Sequence, residues 1–491
     1  MGENKQVNKT PVKKIIFITI ALFIVLFFRF LPAPKGLSVS GMHVIGTFLG
    51  VLLLWITIGI DWPSLMCLAS LSFIPSLGID TVLKSSFGNS TFAFLLFTFM
   101  CTYAISKTGF IRRIALAFVT SKLAKKGPWQ LAISFLAAVV IIGCFMSPTV
   151  LYFVMLPILE EIYSVLALKK GDKFASMLAM GLVFCTSLSA GMTPIAHVFP
   201  VLAMGVYQSA VKTTISYANY MAFAIPTGII LFVLLMLVFR FILNPPVKEF
   251  ESMDQSKFEA LKKEIPESDI REKLIFVIFA FVVILWVVPG IIKPALPEVA
   301  AFINKYGTAM PPLLGVVVMS IIRIEGKPLL NFNEAMTKGV SWPSLIMAAS
   351  TLAIGSAMTD KKIGLTTFLT SSIKPVTHNM PVLLLIILFV TWAAIESNLS
   401  SHMVTAQLVA TIAVPVALAS TGFNAQAIAC VIGMVASFGS ATPPSMPYVA
   451  VAGASGWTDA MELIKYGFTM MFVVIIIAVT FSYPIASLLM R

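Results

Sequence analysis

Apolar runs alternate with short polar interruptions along this chain, and the lengths of those runs decide its architecture. Residues 380–394 and 403–419 are almost purely apolar, and between them lies Ile395-Glu396-Ser397-Asn398-Leu399-Ser400-Ser401-His402. Neither arm is much longer than about 15 residues, whereas about 20 are needed to cross a bilayer. Two short arms around a polar, chargeable tip predict a re-entrant helical hairpin. It would enter the membrane, turn at mid-depth and leave by the same face. Backbone freed at such a turn is tolerated only where it lines a cavity or is buried in protein. A Glu, an Asn, a His and three Ser at that depth are costly unless they serve a function. The stretch is therefore expected to form half of a solute site.

The same logic applies along the whole chain. Residues 1–14 form a polar tail with Lys5, Lys9, Lys13 and Lys14, expected in the cytoplasm. Residues 15–31 and 42–60 read as spans, 63–77 as a shorter third and 91–105 as a fourth. Lys107, Arg112 and Arg113 follow on a segment that is basic on one side and apolar on the other, the pattern of a helix lying in the interface. Residues 129–146 and 150–158 flank Ser147-Pro148-Thr149, a second candidate hairpin. Residues 174–190 lead into a segment from Gly191 through Thr193, Pro194 and His197 to Pro200, where Pro194 and Pro200 are expected to break the helical ladder. Residues 221–243 form a clean span, and 244–273 read as a cytoplasmic linker with a short amphipathic helix.

The second half repeats the order of the first. Spans are expected at 274–292, 310–322 and 343–358, then a basic amphipathic segment from Asp360-Lys361-Lys362, then the opening hairpin. Residues 425–438 lead into Gly439-Ser440-Ala441-Thr442-Pro443-Pro444-Ser445-Met446-Pro447, another broken helix, and 463–490 form the last span. Ala104-Ile-Ser-Lys107 resembles Ala357-Met-Thr-Asp360, an offset of 253 residues; the same or one greater offset carries Ser147 to Ser400 or Ser401. Interrupted segments at matching places in two halves are a sequence pointer to a transporter site. The expected fold is an all-α polytopic membrane protein with about 11 transmembrane helices. It divides into a tail and scaffold (1–60), repeat 1 (61–243), the linker (244–273) and repeat 2 (274–491). With the N-terminus inside and each hairpin returning to its own side, the basic loops at 107–126, 169–173, 248–273 and 323–338 fall inside. Roughly twice as many basic residues then lie inside as outside, as the positive-inside rule requires. This predicts opposite topology for the two repeats, a plasma-membrane location and a C-terminus outside.

Composition supports this picture. Of 491 residues, 58% are hydrophobic and 11% charged, with mean hydropathy +0.97, against about 25% charged in soluble proteins. The formal charge of +13 sits in loops between apolar runs, so it reads as membrane orientation rather than nucleic-acid binding. Cys67, Cys101, Cys144, Cys185 and Cys430 lie in apolar stretches without paired spacing and read as core thiols. A channel would need a continuous polar stripe, whereas the polar residues cluster at one depth. No nucleophile–base or HExxH pattern points to an enzyme, and no cofactor is expected.

Four broken segments would present helix ends to one region at mid-membrane. Helix N-termini carry partial positive charge and unpaired N–H groups, which favour anions. The polar lining is mostly hydroxyl: Ser147, Thr149, Ser187, Ser189, Thr193, Ser400, Ser401, Thr442 and Ser445. Hydroxyls donate to carboxylate oxygens without the desolvation cost of a buried Lys. A small oxyanion such as a dicarboxylate is the expected solute, and composition alone leaves a neutral polar solute open. His402, Glu396 and Asn398 are the candidate coupling residues. Glu396 reads either as a proton-coupling carboxylate or as a local cap, and His402 and His197 either as site residues or as donors to backbone carbonyls.

Two hairpins with short polar tips, each followed by a Pro-broken helix, resemble the divalent anion:sodium symporter family. Ser147-Pro148-Thr149, ten residues before Pro157, stands where that family has Ser-Asn-Thr, and Ala441-Thr442-Pro443-Pro444 is similar to its Ala/Gly-Thr-Pro-Pro. The resemblance implies carriage of di- or tricarboxylates or sulfate, dimerisation, and elevator motion of the hairpin-bearing domain. It implies substrate contacts at Ser147, Pro148, Thr149, Thr193, Pro194, Ser400, Ser401, His402, Met403, Ala441, Thr442 and Pro443. Any Na⁺ would sit near Ser147, Gly191, Ser401 and Ala441. The chain departs from the pattern at the middle Asn of each tip. Pro148 replaces it at the first, and the repeat offset places His402 there at the second. A second register, Ser397-Asn398-Leu399, keeps an Asn. Pro supplies no side-chain oxygen, and imidazole is unsuited to Na⁺. Sodium-independent exchange of C4/C5 dicarboxylates is therefore the expected activity, with Na⁺- or proton-coupled symport as the alternative.

Overall fold

The computed structural model describes residues 12–34, 36–195, 197–246, 267–293, 295–360, 362–365, 368, 380–442 and 445–490. Lys361, Pro443, Pro444 and most of the expected linker helix lie outside the described residues. Apart from one two-stranded turn, Arg323–Ile324 with Lys327–Pro328, the described elements are helices. Among the described residues, eight helices are long and apolar enough to cross a membrane, or up to ten if each of two bent pairs counts as one span, and four apolar helices are shorter; the eight include Pro148–Val165, Val382–Leu399 and His402–Ala419, arms that were expected to be too short to cross and are 18 residues long.

The chain forms two compact units that cut across the sequence order. The first unit comprises residues 1–89 and 342–375. It packs α1 (Val12–Phe27) on α2 (Val39–Thr57), and α3 (Trp62–Ser72) and α4 (Gly78–Ser85) beside a later helix, Trp342–Thr359. Gly46 and Gly50 let α1 and α2 approach closely, since a Cβ at either would stand 2.5 Å from Phe28 or Val25 side-chain carbon. Thr47 and Ser70 share a buried 2.6 Å hydroxyl pair across α2 and α3.

The second unit, residues 90–341 and 376–491, carries both hairpins. It begins with α5 (Ser90–Ser106) and the short basic α6 (Phe110–Val119). α6 buries Ile111, Ala115, Leu116 and Val119. Arg112 pairs with Glu161 at 3.2 Å, and Arg113 makes a forked contact to Glu272, with Nη2 3.1 Å from Oε2. The first hairpin is α7 (Pro128–Gly143) and α8 (Pro148–Val165). Next come α9 (Lys173–Met192), α10 (Val198–Val211) and α11 (Tyr217–Leu237), the last continuing through Val238–Leu243. Beyond the linker stand α12 (Ile270–Ile292), α13 (Pro297–Lys305) and α14 (Met310–Ile321). We label Trp342–Thr359 of the first unit α15. The second hairpin is α16 (Val382–Leu399) and α17 (His402–Ala419), followed by α18 (Ala425–Ala436), α19 (Pro447–Ala454), α20 (Ala460–Ile477) and α21 (Tyr483–Leu489). Hairpin, broken helix and long apolar helix thus occur twice in the same order.

Several boundaries differ from the expectation, each for an identifiable reason. The second arm of the first hairpin does not stop near 158; α8 runs to Val165 through Pro157. One interior proline removes one ladder bond, and the turns on either side keep theirs. The second tip is only Ser400-Ser401, because α16 stays helical through Glu396, Ser397 and Asn398 and α17 resumes at His402. At the first tip, Pro148 and Thr149 already belong to α8. Pro200 does not break a helix. It is the third residue of α10, among the first four N–H positions that have no partner within a helix. The first break is therefore 193–197 rather than 191–200.

α9 is buried along its whole span, and its small residues explain how. A Cβ on Gly181 would lie 2.7 Å from Leu136, and one on Gly191 2.5 Å from Phe438. Gly433 on α18 likewise meets the Pro200 Cα at 2.8 Å. Because that neighbour is backbone, Gly433→Val is expected to destabilise the protein by about 1–3 kcal/mol. Thermal unfolding of the purified protein in detergent checks this, and an unchanged midpoint would contradict the close crossing of α10 and α18.

Candidate solute site

The four interrupted segments come together in the second unit. At the first break, Thr193 donates its hydroxyl to the Cys144 carbonyl at 2.5 Å, and His197 Nε2 donates to the Gly143 carbonyl at 2.8 Å. Both carbonyls belong to the end of α7, so the first tip is tied to the first break. Tyr220 on α11 donates to the Gly191 carbonyl at 2.7 Å.

At the second break, Asn398 organises the backbone. Its Oδ1 accepts from Ser440 N and Ala441 N, each at 2.9 Å, and its Nδ2 donates to the Ala394 carbonyl at 2.8 Å. Thr442 donates its hydroxyl to the Asn398 carbonyl. His402 Nε2 donates to the Gly439 carbonyl at 2.5 Å, with its ring edge-on to Phe199, centroids 5.1 Å apart. A hydroxyl chain ties the second break to α9: Ser440 Oγ donates to Ser187 Oγ at 2.5 Å, and Ser187 shares a 2.6 Å contact with the Tyr448 hydroxyl on α19. Tyr448 stacks on Tyr152 of α8, centroids 5.6 Å apart, which brings the first hairpin to the second break.

Helix polarity gives the region its chemistry. α8, α10, α17 and α19 all begin at these segments, and none has a side-chain cap on its N-terminus. Ser38, Ser216, Asp269, Asn424 and Asp459 each cap a helix that begins elsewhere, and several other helices away from the site, among them α6, α9 and α14, share the lack of a side-chain cap. Uncapped N–H groups attract anions. The carbonyls that end α7 and enter the second break are treated the other way, each taken by a Thr or His donor. Ser147, Thr149, Ser400, Ser401 and Thr442 are half-buried at the rim, while Pro148, Thr193, Pro194 and Ala441 are buried.

Of the two readings left open for His402, the one seen is donation to a backbone carbonyl: it is fully buried and spends Nε2 on the second break, because its position opens α17 toward α10 and α18 rather than toward the rim. Asn398 was one of two tip registers; its side chain holds the second break instead of standing free. Glu396 is half-buried, one turn before the tip, and its carbonyl accepts from Ser400 N at 2.8 Å. Ser440, Tyr448 and Tyr220 were missed. The only sequence signals for the tyrosines were their places beside a break: Tyr448 directly after Pro447, and Tyr220 early in the following long helix. Among the described residues no group of three or more His, Cys, Asp or Glu is placed to hold a metal.

This fold and site define a polytopic membrane transport protein. Residues 12–490 match the family described as the sodium:sulfate symporter transmembrane region, and the chain belongs to that family. It is similar to the sodium-dependent dicarboxylate transporter SdcS of Staphylococcus saprophyticus, 22% identical over 98% of this chain and 94% of that one. It is also similar to SdcS of Staphylococcus aureus strain RF122, 21% identical over 94% and 89%. Among solved structures, it shares a fold with the YdaH transporter of Alcanivorax borkumensis, at TM-score 0.54 and 14% identity over 83% of this chain and 86% of that one. MtrF of Neisseria gonorrhoeae matches at TM-score 0.56 and 15% identity over 97% and 95%.

Asn398→Ala would leave the Ser440 and Ala441 N–H groups without their acceptor. A buried orphan donor costs about 1–3 kcal/mol, so the variant is expected to unfold at a clearly lower temperature in detergent. Wild-type stability would show that Asn398 does not hold the second break.

Proposed function

We propose that this protein is a secondary transporter of small C4/C5 dicarboxylates such as succinate, malate or 2-oxoglutarate, working by sodium-independent exchange. The observation that carries the reading is the polarity of the site: four uncapped helix N-termini beside carbonyls already occupied by side-chain donors. Such a surface offers N–H and hydroxyl groups and withholds acceptors, which suits a dianion. The printed name of the SdcS relatives, dicarboxylate transporter, supports the same solute class. The substrate-facing residues in this proposal are Ser147, Thr149, Ser400, Ser401 and Thr442, with Met403 and Ala441 beside them; Pro443, next in sequence after Thr442, lies outside the described residues. Pro148, Thr193 and Pro194 shape the backbone behind.

The proposed setting is the plasma membrane, with about 11 crossings, the N-terminus inside and the C-terminus outside. The two hairpins open to opposite faces, and a homodimer moves its hairpin-bearing part by an elevator stroke. Sodium symport is the second reading, and the sodium-dependent label of the SdcS relatives supports it. Exchange is preferred because Pro148 supplies no side-chain oxygen and Asn398 Oδ1 already accepts two N–H groups.

Proteoliposomes preloaded with unlabelled succinate should take up labelled succinate in choline buffer at least about tenfold faster than empty ones, a difference of about 1.4 kcal/mol in the effective barrier. Uptake that needs Na⁺ and ignores internal succinate defeats the exchange reading. No uptake of any C4 or C5 diacid in either buffer defeats the solute class.

A further inference from the structure

Two fully buried histidines of the second unit do the same thing from opposite sides. His197 lies on the first broken helix and donates to Gly143 at the end of a hairpin arm. His402 lies on the second hairpin and donates to Gly439 on a broken helix. Each therefore ties the hairpin of its own half to the broken helix of that half. Both rings are fully buried, and in each the second nitrogen, Nδ1, has no partner. Because Nε2 faces a carbonyl, it must carry the proton, and each neutral ring presents Nδ1 as a bare lone pair.

Both acceptors are glycines, for a steric reason. A Cβ at Gly439 would lie 2.8 Å from His402 Nε2, and one at Gly143 would lie 2.1 Å from the Ser189 hydroxyl. At Gly439 a Cβ would crowd the imidazole itself, whereas at Gly143 the excluded neighbour is Ser189 rather than His197. The neighbouring oxygens are also engaged: Cys144 by Thr193, the Asn398 carbonyl by Thr442, and Asn398 Oδ1 by two backbone N–H groups. A hard cation such as Na⁺ binds through backbone and side-chain oxygens. An N–H aimed at such an oxygen places partial positive charge where a cation would sit and uses a lone pair it would need.

We propose that His197 and His402 are positioning residues that occupy, with a neutral N–H, the backbone carbonyls a coupling cation would otherwise ligate, and so set the ion independence of the solute site. They touch neither solute nor ion. They act through Gly143 and Gly439, holding each helix N-terminus in place without a bound metal. This deepens the exchange reading and depends on it for the transport measurement, but not for the cation-binding measurement below.

Two measurements on the full-length protein test the proposal. The first is direct cation binding without solute: the unfolding temperature in detergent with Na⁺, against choline at equal ionic strength. Wild type and His402→Gln, which keeps an N–H donor, are expected to show no Na⁺-specific shift. His197→Ala and His402→Ala expose the carbonyls and are expected to gain one. The second is succinate exchange in choline. Each Ala variant should raise KM by about tenfold, the value of one lost hydrogen bond near 1.4 kcal/mol, with partial recovery in Na⁺. His402→Gln should stay within about threefold of wild type on the same scale. A wild-type protein that is stabilised by Na⁺ overturns the proposal, as do Ala variants that neither gain a Na⁺ shift nor change KM. If wild type shows no Na⁺ shift and the Ala variants gain one, yet no dicarboxylate is exchanged, the histidine assignment stands and the solute reading falls.

Discussion

A chain that stops being helical inside lipid must find partners for its backbone within the protein itself. Each unmet N–H or C=O in the hydrocarbon region costs several kcal/mol, and this chain stops twice in each half. The second break solves the problem with one side chain, since Asn398 receives two N–H groups and gives back one of its own. Around the first break, Thr193 and His197 cover two carbonyls at the end of α7, and Tyr220 of α11 covers that of Gly191 near the end of α9. The rest of the second unit follows from this need. α9 carries Gly181, Ser189 and Gly191 where neighbouring helices come close, and Gly143, Gly433, Gly439 and Gly467 appear where no Cβ fits.

The way the partners are shared out also gives the region its sign. Donor side chains are spent on carbonyls, and no acceptor side chain is spent on the N-termini of α8, α10, α17 and α19. Satisfying one end of the helices and leaving the other open creates a positive field without a single buried Lys or Arg. That matters energetically, because an unpaired ammonium at this depth would carry a desolvation cost larger than the attraction it offered. Proline serves the same end. Pro148 and Pro447 open their helices, where a missing N–H removes a group that had no partner anyway.

Much of this was legible in the chain. Apolar runs marked out the helices, and the two helix pairs and two breaks fall where polar tips and prolines interrupt apolar sequence, but three of the four arms are 18 residues long, a length that also suits a full crossing. What could not be read was three-dimensional partnership. Pro200 looked like a breaker because proline has the same one-letter signal at the third position of a helix as in its interior. Pro157 looked like the end of an arm and is instead absorbed within α8. His402 could be read as a solute ligand or as a donor to a backbone carbonyl, because polarity in an apolar stretch implies use but does not say by what. Its actual partner, Gly439, is 37 residues away. Tyr448 was invisible for the same reason: an aromatic in an apolar run carries no mark of the hydroxyl chain it completes through Ser187 to Ser440.

The histidines show why the internal repeat is faint in sequence and plain in architecture. In one half the imidazole sits on the broken helix and reaches the hairpin; in the other it sits on the hairpin and reaches the broken helix. A position-by-position comparison of the halves scores these as unrelated residues, yet the contact they make is the same. What the two halves share is therefore a requirement, an N–H on a glycine carbonyl where hairpin meets break, rather than a residue at a register. The offset between halves reflects this freedom. Pro148 and His402, which open the equivalent arms, are 254 residues apart, whereas Val198 and Pro447, which resume the broken helices, are 249 apart. Five residues of slippage between two adjacent landmarks rule out carrying site residues from one half to the other by arithmetic. They are tolerated because packing at the breaks, and not spacing along the chain, holds the tips in place.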